Sequence, residues 1–138
     1  MATPSTRASA EPLVLFIPGE AQSSPARDIA RHHRDGLRSA VLELGGWDDP
    51  HRNTWVNKIN LAIWRAKRPV VLVADGLACL AIIWWAEFEQ PRLEGPVKRA
   101  ILLSPPDLDR PGGDRRLARF GAVPGNPLPF PALLVAND

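Results

Sequence analysis

Nucleophilic catalysis at neutral pH needs a hydroxyl or thiol with a base beside it, because a serine hydroxyl alone is barely nucleophilic. The histidines that could act as that base, His32, His33 and His51, all fall in the first half of the chain. His32 and His33 sit in a polar segment and are expected to face solvent, whereas His51 follows Pro50 in a loop that could overhang a crevice. Ser104 ends an apolar run with no identifiable base and reads as a turn serine. The single thiol, Cys79, lies within an apolar stretch and reads as a buried, inert core residue. One cysteine excludes an internal disulfide and a multi-cysteine metal site, and the adjacent His32-His33 lack the spacing of a helical metal pair. Neither a phosphate-binding loop nor a glycine-rich dinucleotide fingerprint follows the first apolar run. No metal and no cofactor are expected.

The elements that must position such groups are legible as short apolar runs ended by turn residues. Leu13 to Ile17 stops at Pro18-Gly19, Ala40 to Leu44 at Gly45-Gly46, and Val70 to Ala74 at Asp75-Gly76. Ala100 to Leu103 stops before Pro105-Pro106, and Ala132 to Ala136 is the last run. Continuous runs without alternation predict strands covered on both faces, so five buried strands are expected. Helical patterns lie between them. Thr54 to Ala66 places Trp55, Ile59, Ala62, Ile63 and Ala66 on one face. Leu77 to Phe88 is apolar nearly all round, Ala26 to Leu37 is polar and weakly amphipathic, and Asp114 to Phe120 makes one or two turns. Strand–helix alternation of this kind predicts right-handed crossovers and helices on both faces of the sheet. The expected fold class is α/β, a doubly wound, mostly parallel five-stranded sheet of order 2-1-3-4-5. Its ligand crevice lies at the carboxyl ends of strands one and three. Residues 1–12 read as a flexible tail and 13–138 as one domain.

Composition narrows the function classes. In 138 residues, 45% hydrophobic and 23% charged content is the ordinary globular mixture, which excludes wholesale disorder. Seventeen Lys and Arg against 15 Asp and Glu leave a net charge of +2, with the charges mixed along the chain. A nucleic-acid or membrane-surface module would gather its basic residues into a stripe, so neither partner is expected. The first ten residues lack the apolar core of a secretory signal, and the longest apolar stretch, Leu77 to Ala86, is too short to span a bilayer. A cytoplasmic location is the resulting expectation.

The chain also resembles a known family along nearly its whole length. The segments are Phe16-Ile17-Pro18-Gly19, Trp47-Asp48-Asp49-Pro50, Thr54-Trp55-Val56, Pro69 to Leu80, Leu102 to Asp107, and Pro127 to Pro131. In order and spacing they look like the small serine hydrolases of the retinoblastoma-binding-protein-nine and YdeN type. The resemblance implies a compact α/β-hydrolase fold with a Ser-Asp-His triad and esterase-like acyl transfer. It also implies a nucleophile elbow, small-x-Ser-x-small, after the third strand. Here that elbow reads Ala74-Asp75-Gly76-Leu77-Ala78, so Gly76 stands where the nucleophile is implied. The acid is implied after the fifth strand, near Asp138, and the histidine beyond a further strand, past Asp138. On this reading the domain is a shortened α/β-hydrolase.

Asp75 invites comparison with aspartate nucleophiles but stands one residue early, which turns its side chain to the other face. A solvated or helix-capping carboxylate is the more ordinary reading. The crevice and its oxyanion side are assigned to Pro18, Gly19, Glu20, Ser23, Asp75, Gly76 and Leu77. In the loop from Pro18 to Pro25, Gly19 and Ser23 or Ser24 match the family, but Asp28-Ile29 replaces an expected His-Trp pair. Glu20 would repel a developing oxyanion if it faced the crevice. Trp47 is expected to cover the sheet edge rather than line a ligand site. The function expected is therefore a catalytically inactive family member that binds a small ligand or a protein. An active esterase using Ser23, Ser24 or Ser104 is the alternative, and whether the chain is an enzyme stays open at this point. A third possibility is an interaction module, including a homo-oligomer, that pairs through the apolar C-terminal strand.

Overall fold

The computed structural model describes residues 11–20, 24–32, 38–92, 95–107 and 115–135. Asp138, Ser23, His33 and most of the proposed tail therefore lie outside the described residues. The elements run β1 (Leu13–Ile17), α1 (Pro25–His32), β2 (Ser39–Val41), α2 (Arg52–Ala66), β3 (Val70–Asp75), α3 (Ala78–Glu89), β4 (Val97–Leu103), a 3-10 turn (Arg115–Phe120) and β5 (Ala132–Val135). The strands form one sheet in the order β2-β1-β3-β4-β5. All four pairings are parallel, with Ile17 beside Ala74, Asp75 beside Leu103 and Leu103 beside Val135. The expected order and crossover pattern are thus present.

Burial follows the strand alternation and splits the core into two layers. On one face Leu15, Ile17, Leu72, Ala74, Ala100 and Leu102 pack with α2 and α3, whose Trp55, Ile59, Ile63, Leu80, Ile82 and Trp85 join the same cluster. On the other face Phe16, Val73 and Leu103 pack with Ala26 of α1. The almost uniformly apolar α3 fits this position, since it lies against the sheet and against α2 at once. Trp85 Nε1 keeps its polar edge satisfied in the core by donating to Asn60 Oδ1 at 3.0 Å.

Three expectations need correction. The five strands are not all buried: every residue of β2 and of β5 is exposed, because these two strands form the edges of the sheet. An apolar run alone does not distinguish an edge from a centre. Strand β2 is also shorter than the run Ala40 to Leu44 and begins one residue earlier. Leu42 N–H still donates to Phe16 O at 2.8 Å, but the chain then leaves the sheet. Leu44 is buried with Trp55 and the α2 side of the core, and its carbonyl accepts from Lys58 Nζ at 2.6 Å. Helix α2 starts at Arg52, two residues before the expected Thr54, with His51 at the N-cap position.

Candidate functional site

Parallel strands place the carboxyl ends of β1, β3 and β4 along one rim, and the chain diverges there to β2 on one side and β3 on the other. This is the switch point at which doubly wound sheets bind ligands. Pro18 and Gly19 leave β1 at that rim, and Asp75, Gly76 and Leu77 leave β3 beside them.

Asp75 is the centre of the arrangement. Its side chain is buried, at 4% exposure, so the expectation of a solvated carboxylate does not hold. One oxygen accepts from the Gly19 N–H at 2.7 Å and the other from the Ala26 N–H at 2.8 Å. Ala26 is in the first turn of α1, where backbone N–H groups have no partner within the helix and the helix dipole favours negative charge. The carboxylate at the end of β3 therefore closes the loop after β1 and caps α1 from across the sheet. Gly19 must lack a side chain for this to happen: a Cβ there would stand 2.1 Å from Asp75 Oδ1.

Gly76 turns the chain from β3 into α3 with φ +58°, in the left-handed region that L-residues rarely adopt. Its N–H donates to Leu103 O at 3.1 Å, and its carbonyl accepts from Cys79 N–H at 3.1 Å. A Cβ on Gly76 would meet no atom within 4 Å. The turn thus has the sharp form of a strand-to-helix elbow, with open space where a side chain would project. Leu77, next in the chain, is 7% exposed and belongs to the core.

The other candidates have ordinary structural partners. Ser24 is 2% exposed, and its Oγ accepts from Arg27 N–H at 3.1 Å, which caps α1. Ser104 has φ +48°, and its N–H donates to Val135 O at 2.7 Å, so its backbone holds β5 to β4. Glu20 is paired with Arg116 at 2.9 Å, and Arg116 also donates to Trp47 O at 2.9 Å, which ties the 3-10 turn to the β1 loop. Trp47 packs edge-on against Trp55 with 4.7 Å between ring centroids, as a cover for the core. His32 bonds through Nδ1 to Asp28 O at 2.8 Å, and His51 stands 3.8 Å from Asp49 on the surface. Among the described residues neither histidine is bonded to the Asp75–Gly76 turn.

Electrostatics reinforce the picture of a braced rim. Arg27 makes a two-pronged contact with Glu43 at 2.6 and 3.0 Å, linking α1 to the segment after β2. That hydrogen bond holds the Glu43 carboxyl below its usual range and raises Arg27 above its own. Cys79 is fully enclosed, and burial, with the charge of Asp75 second, pushes its thiol up to about 12. The thiol stays protonated and inert at neutral pH. Among the described residues no group of three His, Cys, Asp or Glu could hold a metal, and no helix is long and apolar enough to cross a membrane.

Of the seven crevice residues singled out from the sequence, the fold brings Pro18, Gly19, Asp75, Gly76 and Leu77 to one rim, Glu20 is paired with Arg116, and Ser23 lies outside the described residues. Sequence reasoning did not foresee the Ala26 N–H, whose role depends on a chain reversal of 49 residues. The available signal was a carboxylate ending a buried strand, which must find donors, opposite a glycine in the first loop.

Comparison with known proteins adds one result. A family model described as "Serine hydrolase" matches residues 14–138. No curated protein and no solved structure matches the chain.

Proposed function

We propose that this chain, which belongs to the serine hydrolase family, is a non-catalytic member whose rim serves binding rather than acyl transfer. The observation that carries the reading is Gly76. It stands at the strand-to-helix elbow after β3, with φ +58° and open space beyond its Cα, in the position where the family resemblance implies a serine. A glycine keeps the strained turn and has no atom to attack a carbonyl.

The surroundings support the same conclusion. An acyl-transfer site needs preorganised N–H donors aimed at a developing oxyanion. The Gly19 N–H, the donor nearest this role in the β1 loop, is instead committed to Asp75. Asp75 cannot replace the nucleophile, since both of its oxygens accept backbone hydrogen bonds in a buried position. Ser24 and Cys79 are enclosed and structurally engaged. With these groups engaged, the capacity left to the described rim is for a small ligand or a protein surface. A fluorophosphonate probe, which phosphonylates activated serines with loss of fluoride, tests the reading: native protein should keep its mass, and a stoichiometric adduct overturns it.

A further inference from the structure

We propose that the outer face and carboxyl end of α2 dock on an anionic lipid bilayer. The net charge of +2 conceals a local segregation of charge. From Pro50 to Ala74 the chain carries Arg52, Lys58, Arg65, Lys67 and Arg68 and no acidic residue. Arg65 is exposed in the last turn of α2, Lys67 is exposed where the helix ends in a left-handed turn, and Arg68 follows it. Among the described residues neither Arg65 nor Lys67 is paired with an acid. Because the strands are parallel, their amino ends lie together at this end of the molecule. The exposed Arg38 before β2, and Lys98 and Arg99 in β4, add to the same positive field. The described acids at that end, Glu11 and Glu89, belong to other segments.

Apolar side chains stand among these bases. Trp64 is 70% exposed, more than any other large apolar residue described, and Leu61 is 41% exposed. Trp55, Val56, Ile59 and Ile63 turn to the core, so Leu61 lies on the opposite side of α2. Trp64 and Arg65, three and four residues further on, are its neighbours on that outer face. Attraction to the helix dipole accounts for Arg65 in the last turn, but not for a tryptophan held in water.

A bilayer surface meets both features at once. A helix lying in the interface sinks its apolar residues into the headgroup boundary while its Lys and Arg side chains reach anionic headgroups. Tryptophan is among the residues that favour this boundary. Nucleic acid would satisfy the bases and could stack on Trp64, but it offers the aliphatic Leu61 no partner. The charge and the apolar pair together therefore select a lipid surface. The Asp75–Gly76 turn lies at the other end of the sheet, so docking here leaves the rim in water.

The test is co-sedimentation of the full chain with extruded vesicles at low ionic strength. Each base near an anionic surface strengthens binding about fivefold. With Arg65, Lys67 and Arg68 engaged, vesicles containing about 30% phosphatidylserine should bind about a hundredfold more tightly than pure phosphatidylcholine. Salt at about 0.5 M should release the protein. Arg65→Gln combined with Lys67→Gln should weaken binding about twenty-fivefold. Trp64→Ser should weaken it about tenfold by removing apolar area, and circular dichroism should be unchanged in both variants. No association with phosphatidylserine vesicles overturns the proposal, as does equal binding to phosphatidylcholine. Binding that Trp64→Ser leaves intact reduces the patch to plain charge and also overturns it. So does capture of a single-stranded oligonucleotide or of polyglutamate by a protein that ignores the vesicles.

Discussion

Removing the Asp75 carboxylate should cost more stability than any other single polar change at the rim, and the cost should depend on Gly19. The carboxylate accepts two backbone N–H groups at 2.7 and 2.8 Å in a site 4% exposed. Hydrogen bonds to a charged group contribute about 1.5–3 kcal/mol each, and a buried donor left without a partner costs about 1–3 kcal/mol. Asp75→Ala should therefore lose about 3–5 kcal/mol, a large share of the roughly 5–15 kcal/mol that stabilises a typical domain. Asp75→Asn should lose about 2 kcal/mol, because its single carbonyl oxygen serves one N–H while its amide group faces the other. Gly19→Ala places a Cβ 2.1 Å from Asp75 Oδ1 and forces the carboxylate away from both donors. Gly19 lies outside the left-handed region, so the cost arises from this contact and not from backbone strain. In the Asp75→Ala background the obstructing oxygen is gone, and the remaining tight contact is 3.2 Å to the Asp75 backbone carbonyl. The double variant should then be more stable than the sum of the single losses implies, by about 1–3 kcal/mol. Urea unfolding at pH 7, followed by fluorescence of the buried Trp55 and Trp85, measures all four corners of this cycle. An Asp75→Ala loss below about 0.5 kcal/mol, or strict additivity with Gly19→Ala, would refute the reasoning.

Further outcomes follow from the neighbouring residues. Gly76→Ser should fold, since its Cβ meets nothing within 4 Å, but lose about 1–2 kcal/mol to the left-handed backbone at φ +58°. Its hydrolysis of p-nitrophenyl acetate should stay at the wild-type background, because no described histidine is bonded to the turn; a rise of about a hundredfold contradicts this. Cys79 should resist thiol reagents in the native state and react at the rate of unfolding. Its thiol is raised from 9.0 to about 12, so above pH 9.0 the unfolded chain sheds a proton that the native state keeps. Stability is therefore lost as pH rises through this window, by up to about 1.4 kcal/mol per pH unit. Cys79→Ala should flatten that slope relative to wild type in alkaline unfolding curves.

The central strands were legible because their burial is written in continuous apolar runs. Leu13 to Ile17 and Val70 to Ala74 are strand residues that the sheet covers on both sides. Edges were not legible on the same criterion. Leu133 and Leu134 are as apolar as Leu72, and only the pairing order shows that, among the described residues, one side of β5 has no neighbour. Leu44 belongs to an apolar run that reads as strand, yet it lies beyond β2 and is buried by packing near Trp55. At the rim, Gly76 and Gly19 could be placed from their positions after β3 and β1. The burial of Asp75 could not, since it depends on N–H groups 56 and 49 residues away in the chain. Glu20 likewise gave no sign in the sequence of its partner Arg116, which lies in a 3-10 turn between β4 and β5.

The most direct test of a non-catalytic rim is the intact mass of the native protein after exposure to an excess of fluorophosphonate, beside a heat-denatured sample. Activated serines are phosphonylated only when the protein is folded, whereas adventitious labelling persists after denaturation. The account predicts an unmodified native mass and no difference between the two samples. A stoichiometric adduct on the native protein that is absent from the denatured one would contradict it, and the modified residue would identify the nucleophile.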